Sequence, residues 1–155
     1  MIGKMPGETL EQKAANLRAA YGFYMGHPGK KLLFMGQDFA QVDECNENAS
    51  LEWNLLQYPL HSQMQEFVKD LNGLYAGHPA LSQLDYDPDG FEWINCSYHE
   101  LSMVMFVRKT KKPEETLLFV CNFDNMAHQK FRVGVPFAGK YKEILNSDAK
   151  KYGGS

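Results

Sequence analysis

The sequence predicts a chain of two kinds, α/β in its first half and all-β in its second. Before residue 85, apolar residues recur at helical spacing on either side of one short apolar run. After residue 90 the period falls toward 2, and the turn cluster Asp85-Tyr86-Asp87-Pro88-Asp89-Gly90 separates the two regimes. Residues 1–84 and 85–155 are therefore expected to be separate domains.

The first element is a helix. Leu10, Ala14, Leu17, Tyr21, Tyr24 and Met25 share a stripe, and Thr9-x-x-Gln12 has the form of a capping box in front of it. Gly26 and Pro28 stop it. The run Lys31-Leu32-Leu33-Phe34-Met35, closed by Gly36, suits a strand buried on both faces of a parallel sheet. Residues 37–57 follow neither period and read as a long irregular loop. A second helix opens at Pro59 and carries Leu60, Met64, Phe67, Val68, Leu71 and Tyr75 on one stripe, ending near Gly77-His78-Pro79. Beyond the boundary, the segments 91–95, 101–108, 117–123, 130–135 and 140–145 are short and rich in β-branched and aromatic residues, a spacing that suggests an antiparallel sandwich. Neither half is self-sufficient on this reading. One parallel strand needs neighbours, and the turn-like ending Lys150–Ser155 closes no strand, so both ends read as truncations.

Composition excludes several classes of function. Charged residues make up 23% of the chain and the net charge is −3, which provides no basic field for nucleic acid or for an anionic membrane surface. No apolar run approaches the ~20 residues that span a bilayer, and the first residues lack a secretory signal, so a soluble cytoplasmic protein is expected. Cys45, Cys96 and Cys121 are odd in number and form no C-x-x-C pair, which argues against a disulfide framework or a zinc ribbon. Cys96 with His99 is the nearest approach to a metal-ligand pair, and a surface His beside a strand-end Cys is the simpler reading. Cys45 and Cys121 read as small apolar groups.

Motifs for nucleophilic hydrolysis or phosphate binding are absent: there is no G-x-S-x-G elbow, Walker loop or G-x-G-x-x-G turn. A retaining glycosidase needs two carboxylates about 5 to 5.5 Å apart on a rigid frame. Only Asp38, after the end of the expected strand, has the right position; Glu44, Glu47 and Glu52 lie in the loop beyond. For Asp38 itself, a structural carboxylate is the preferred reading over direct substrate contact. Phe39 and Trp53 suit the apolar faces of sugars, with packing of the loop as the alternative, preferred for Trp53 and for Trp93.

The segments KMPGE, NLRAAYGFYMGHPGKKLLFMGQDFAQ, LEWNLL, DLNGLY, GFEWI, LLFVCNF and YKEILNSDAKKYGGS, taken in order, resemble glycogen (1,4-α-glucan) branching enzymes of the α-amylase superfamily. The resemblance covers essentially the whole chain. It implies the last part of a TIM (β/α)8 barrel, with residues 9–26 as helix 7, 31–35 as strand 8 and 59–76 as helix 8, followed by an incomplete C-terminal β-sandwich. It also implies an enzyme that cleaves α-1,4 bonds of a glucan and rejoins the cut chain to a 6-hydroxyl, using no metal or organic cofactor. The three catalytic carboxylates of that family come from strands four, five and seven and would precede Met1. This chain alone is therefore expected to be inactive, with α-1,4-glucan as the partner of the parent enzyme.

The family's Gly-Gln-Glu-Phe stretch becomes Gly36-Gln37-Asp38-Phe39 here, and Val42 and Cys45 stand where tryptophans are common. Gln37, Asp38 and Phe39 remain the candidates for lining the glucan site, and no sugar-stacking role carries over to Val42 or Cys45. The alternative reading is a non-catalytic glucan-binding or interaction module; a start misassigned at Met1 within a longer gene is a third. Helix 9–26 and strand 31–35, without the rest of a barrel, would leave an apolar patch larger than the few hundred Å² that monomers usually tolerate, so aggregation, oligomerisation or a partly molten N-terminal half is expected.

Overall fold

The computed structural model describes residues 1–43, 46–95 and 99–155, with His99 described in its backbone alone. The readings of Glu44 and Cys45, and of Cys96 with the His99 imidazole, lie outside the described residues. The chain divides into two compact units, one of Met1–Gly22, Lys30–Gly73 and Ile144–Ser155, the other of Phe23–Gly29 and Leu74–Glu143.

In the first unit, helix α1 (Leu10–Gly26) begins at the expected capping box. Gln12 N donates to Thr9 Oγ1 and Thr9 N donates to Gln12 Oε1, each at 3.3 Å. Ala14, Leu17 and Tyr21 form its buried face in this unit. Between them Arg18, only 4% exposed, donates from Nε to Ser147 O at 2.7 Å. Helix α2 (Pro59–Gly77) opens on a proline, whose missing N–H would have no partner at a helix start. It buries Met64, Phe67, Val68 and Leu71, the i, i+3, i+4, i+7 stripe that the sequence predicts.

The chain end closes on this helix through a 3-10 turn, Lys150–Tyr152. The Tyr152 ring is buried edge-on against Phe67 with centroids 4.9 Å apart, and its hydroxyl donates to Asp70 Oδ2 at 2.5 Å. Lys151 Nζ donates to the same oxygen at 2.8 Å. The Lys151 and Tyr152 hydrogen bonds, in that order, hold the Asp70 carboxyl below its usual range. A carboxyl depressed by folding contributes stability that is present above its unfolded pKa of about 4 and is lost as pH falls through the depressed value. Asp70→Asn is therefore expected to cost about 1 kcal/mol at neutral pH and to flatten the stability profile below about pH 4. The cost is small because solvent screens a carboxylate that is 32% exposed. Urea melts of both proteins from pH 2.5 to 7 check this; parallel acid limbs would count against it.

One expectation for this unit is corrected. Residues 31–35 form no strand, and Leu32 is 72% and Phe34 55% exposed. A doubly covered strand needs hydrogen-bonded strands on both edges, and the described strands all belong to the sheet of the second unit.

In the second unit, strands β1 (Phe91–Asn95), β2 (Met103–Arg108) and β3 (Leu117–Asn122) form one antiparallel sheet in the order β1-β2-β3. Trp93 lies opposite Phe106, and Phe106 opposite Phe119, so the three rings share a face. Phe119 stacks on Phe106 at 4.9 Å, and Phe91 lies 5.4 Å from the same ring. Phe23, on the last turn of α1, meets Phe106 edge-on at 5.8 Å. Gly26 is required by this packing, since a Cβ there would lie 2.5 Å from the Phe119 ring.

Arg108 ends β2 fully buried. Its guanidinium donates to Gly26 O at 2.8 Å, to Leu81 O at 3.3 Å and to Asp85 Oδ1 at 2.9 Å. Asp85 also accepts from Gly29 N at 3.1 Å. Cys121, on β3, is a free thiol that burial pushes up to about 12. Labelling of Cys121 by iodoacetamide at pH 8, mapped by mass spectrometry, is expected to run on the order of a thousandfold slower than for an exposed thiol of ordinary pKa, because the thiolate is the nucleophile. Labelling at the ordinary rate would show that the β3 edge opens readily.

Two further expected strands, 130–135 and 140–145, do not form, so the sandwich has one sheet among the described residues. Lys130 takes φ 55° at the head of the first, and Gly134 and Pro136 break its far end, leaving too short a stretch for a ladder. In the second, Tyr141 and Ile144 are exposed, and no buried face offsets the entropy of ordering. Among the described residues no helix is long and apolar enough to cross a membrane.

Candidate functional site

The three sequence-predicted residues sit on a 3-10 turn, Gln37–Phe39, between two left-handed positions, Gly36 at φ 76° and Ala40 at φ 57°. Met35, just before, has φ 41°. Non-glycine residues in this region cost of order 1–3 kcal/mol each, so the surroundings must hold the turn in place. Several contacts do. Gln41 N donates to Gly36 O at 2.9 Å and Ala40 N to Gln37 O at 3.2 Å. Tyr21 Oη donates to Gln37 O at 2.8 Å, and His61 Nδ1 lies 2.8 Å from Phe39 O. Burial first, and the negative charge of Asp38 second, push the Tyr21 phenol well above its usual range, so it remains a donor across the working pH range.

From this turn the three side chains go separate ways. Gln37 Oε1 accepts from Phe34 N at 3.1 Å, and the residue lines an open pocket of about 330 Å³ with Met1, Lys4, Phe34, Met35, Gln41 and Asp43. Asp38 is half-buried and accepts from Gln65 Nε2 at 3.4 Å. Phe39 is fully buried, its ring centroid 5.4 Å from that of Trp53. Trp53 opens the 3-10 turn Trp53–Gln57 and is 54% exposed, against the packing role preferred for it from sequence. Trp93 is 42% exposed and packs edge-on to Phe91 and Phe106.

Sequence reasoning missed the supporting residues Tyr21, His61 and Gln65. The only signal for them was position: His61 and Gln65 stand one turn apart on α2, and Tyr21 lies on the stripe of α1. Among the described residues, no group of three or more His, Cys, Asp or Glu is placed to hold a metal ion.

Comparison with known proteins gives this geometry a context. Residues 93–155 match the family described as the all-beta C-terminal domain of alpha amylase. The whole chain aligns with the 1,4-alpha-glucan branching enzyme GlgB of Gloeobacter violaceus at 54% identity, covering 21% of that protein. It is 50% identical to the enzyme of the same name from Aquifex aeolicus and 46% identical to that from Oceanobacillus iheyensis, covering 24% of each. The chain thus spans between a fifth and a quarter of the length of these relatives.

Proposed function

Because the chain is homologous along its whole length to the 1,4-α-glucan branching enzymes, we propose that it is the C-terminal part of such an enzyme. In this reading residues 1–84 end the catalytic barrel, and residues 85–155 begin the all-β domain. Colinear identity of about half over every residue of the chain carries it. The exposure of Leu32 and Phe34 supports it: an apolar segment patterned for burial, yet partly exposed, fits a barrel strand whose covering lies elsewhere in the parent protein.

The parent enzyme cuts an α-1,4 bond in two displacements. A carboxylate attacks the anomeric carbon while an acid protonates the departing 4-oxygen, and the cut chain is held as a covalent glycosyl-enzyme. A 6-hydroxyl of an acceptor glucan, deprotonated by the same acid/base group, then displaces the enzyme carboxylate and forms the α-1,6 branch with retained configuration. Those groups belong to the upstream part of the parent. This chain contributes the turn that holds Gln37 and Asp38 beside the glucan, with Phe39 anchoring it from below.

An iodine-absorbance assay on amylose tests the proposal with this chain and with the gene extended upstream through the remaining barrel strands. Branching by the extended protein alone is the expected result. Branching by the 155-residue chain, or by neither protein while the short one binds glucan, would overturn it, the latter in favour of a binding module.

A further inference from the structure

We propose that Trp53 is a stacking platform for a glucose ring of an α-1,4-glucan, with Phe39 as its buried support; this rests on the reading of the chain as part of an α-glucan enzyme. An indole is the largest apolar side chain, and leaving it 54% exposed forgoes much of the burial that would repay its place in a loop. Its other surface is firmly backed. The Phe39 ring lies 5.4 Å away at a 33° tilt and is itself fully buried. The Phe39 carbonyl is tied to His61, and Glu52 N, immediately before Trp53, donates to Gln41 Oε1 at 3.1 Å. Trp53 N donates to Leu51 O at 2.9 Å. A ring held in this way loses little freedom when a ligand settles on it.

The surroundings select the ligand. Asn54 and Gln57, in the same turn, are exposed amides. An exposed indole in the same short turn as exposed amides suits a pyranose, which offers a C–H face to a ring and hydroxyls to hydrogen-bonding side chains.

The chain has two tryptophans, so a Trp93→Phe variant leaves Trp53 as the sole indole reporter. Titrating that variant with maltoheptaose is expected to give a saturable change in emission. Trp53→Ala, checked for folding by circular dichroism, should bind about tenfold more weakly in amylopectin affinity gels, and Trp53→Phe should retain most of the affinity. Flat emission through the titration, as for a platform that serves a protein surface instead, or wild-type migration of Trp53→Ala, would overturn the proposal. In the extended protein, branching with an unchanged KM in Trp53→Ala would remove the platform and leave the enzyme reading intact. Saturable binding at Trp53 without any branching would do the reverse.

Discussion

Replacing Arg108 with alanine is expected to unfold the sheet-bearing unit, at a cost of about 3–5 kcal/mol. The arginine is wholly buried and its partner Asp85 nearly so, with side-chain exposures of 0% and 8%. Deleting the cation leaves an uncompensated carboxylate out of water and strips donors from the Gly26 and Leu81 carbonyls. Lysine would not rescue it, because a point charge cannot serve three acceptors in the directions of a planar fork. Arg108→Lys should therefore lose a large part of the same stability, and Asp85→Ala should resemble Arg108→Ala. Urea melts followed by near-ultraviolet circular dichroism, which reads the ring cluster around Phe106, measure the loss. A cost below about 1 kcal/mol would mean that water reaches the pair.

Tyr152→Ala is the second substitution of large effect, at about 3–5 kcal/mol, because it empties the space beside Phe67. Tyr152→Phe separates packing from hydrogen bonding. It keeps the ring and forfeits the bond to Asp70, and should cost about 1 kcal/mol. Limited proteolysis completes the test: cleavage after Lys150 or Lys151 should accelerate sharply in the alanine variant and little in the phenylalanine one. Equal acceleration would mean that the hydroxyl, and not the ring, fastens the chain end.

These two anchors also mark where sequence reading ran out. Helices α1 and α2 were legible because their stripes and caps are local: Thr9 with Gln12, and Met64 through Leu71, can be read without knowing what they touch. The strands around Trp93, Phe106 and Phe119 were legible for the same reason. Arg108 was not, since a charge at a strand end ordinarily reads as solvated, and its partners lie 27 and 82 residues away at Leu81 and Gly26. Asp85 was hidden inside a cluster that also reads as a plain turn. Residues 31–35 carry the pattern of a buried strand, and that pattern already calls for neighbours the sequence does not offer; what it does not show is that the run, without them, takes no strand form. At the candidate site Gly36 marked the end of the apolar run, but the 3-10 turn after it did not show in a stretch that reads as one irregular loop. Which ring faced inward was not legible either: Phe39 and Trp53 are both aromatic residues in an irregular stretch, and only their surroundings separate the buried one from the exposed one.

The unit that contains the candidate turn is assembled from the two extremes of the chain, with Arg18 bonded to Ser147 across 129 residues and Asp70 to Tyr152 across 82. Contacts of such separation form slowly, because long loops must close before any stabilisation is gained. On a ribosome, α1 and α2 emerge about ten seconds before the residues that fasten them, at ordinary rates of synthesis. Through that interval their apolar stripes have no final covering. A nascent chain of this design is exposed to misassociation until Ser147 and Tyr152 have both emerged.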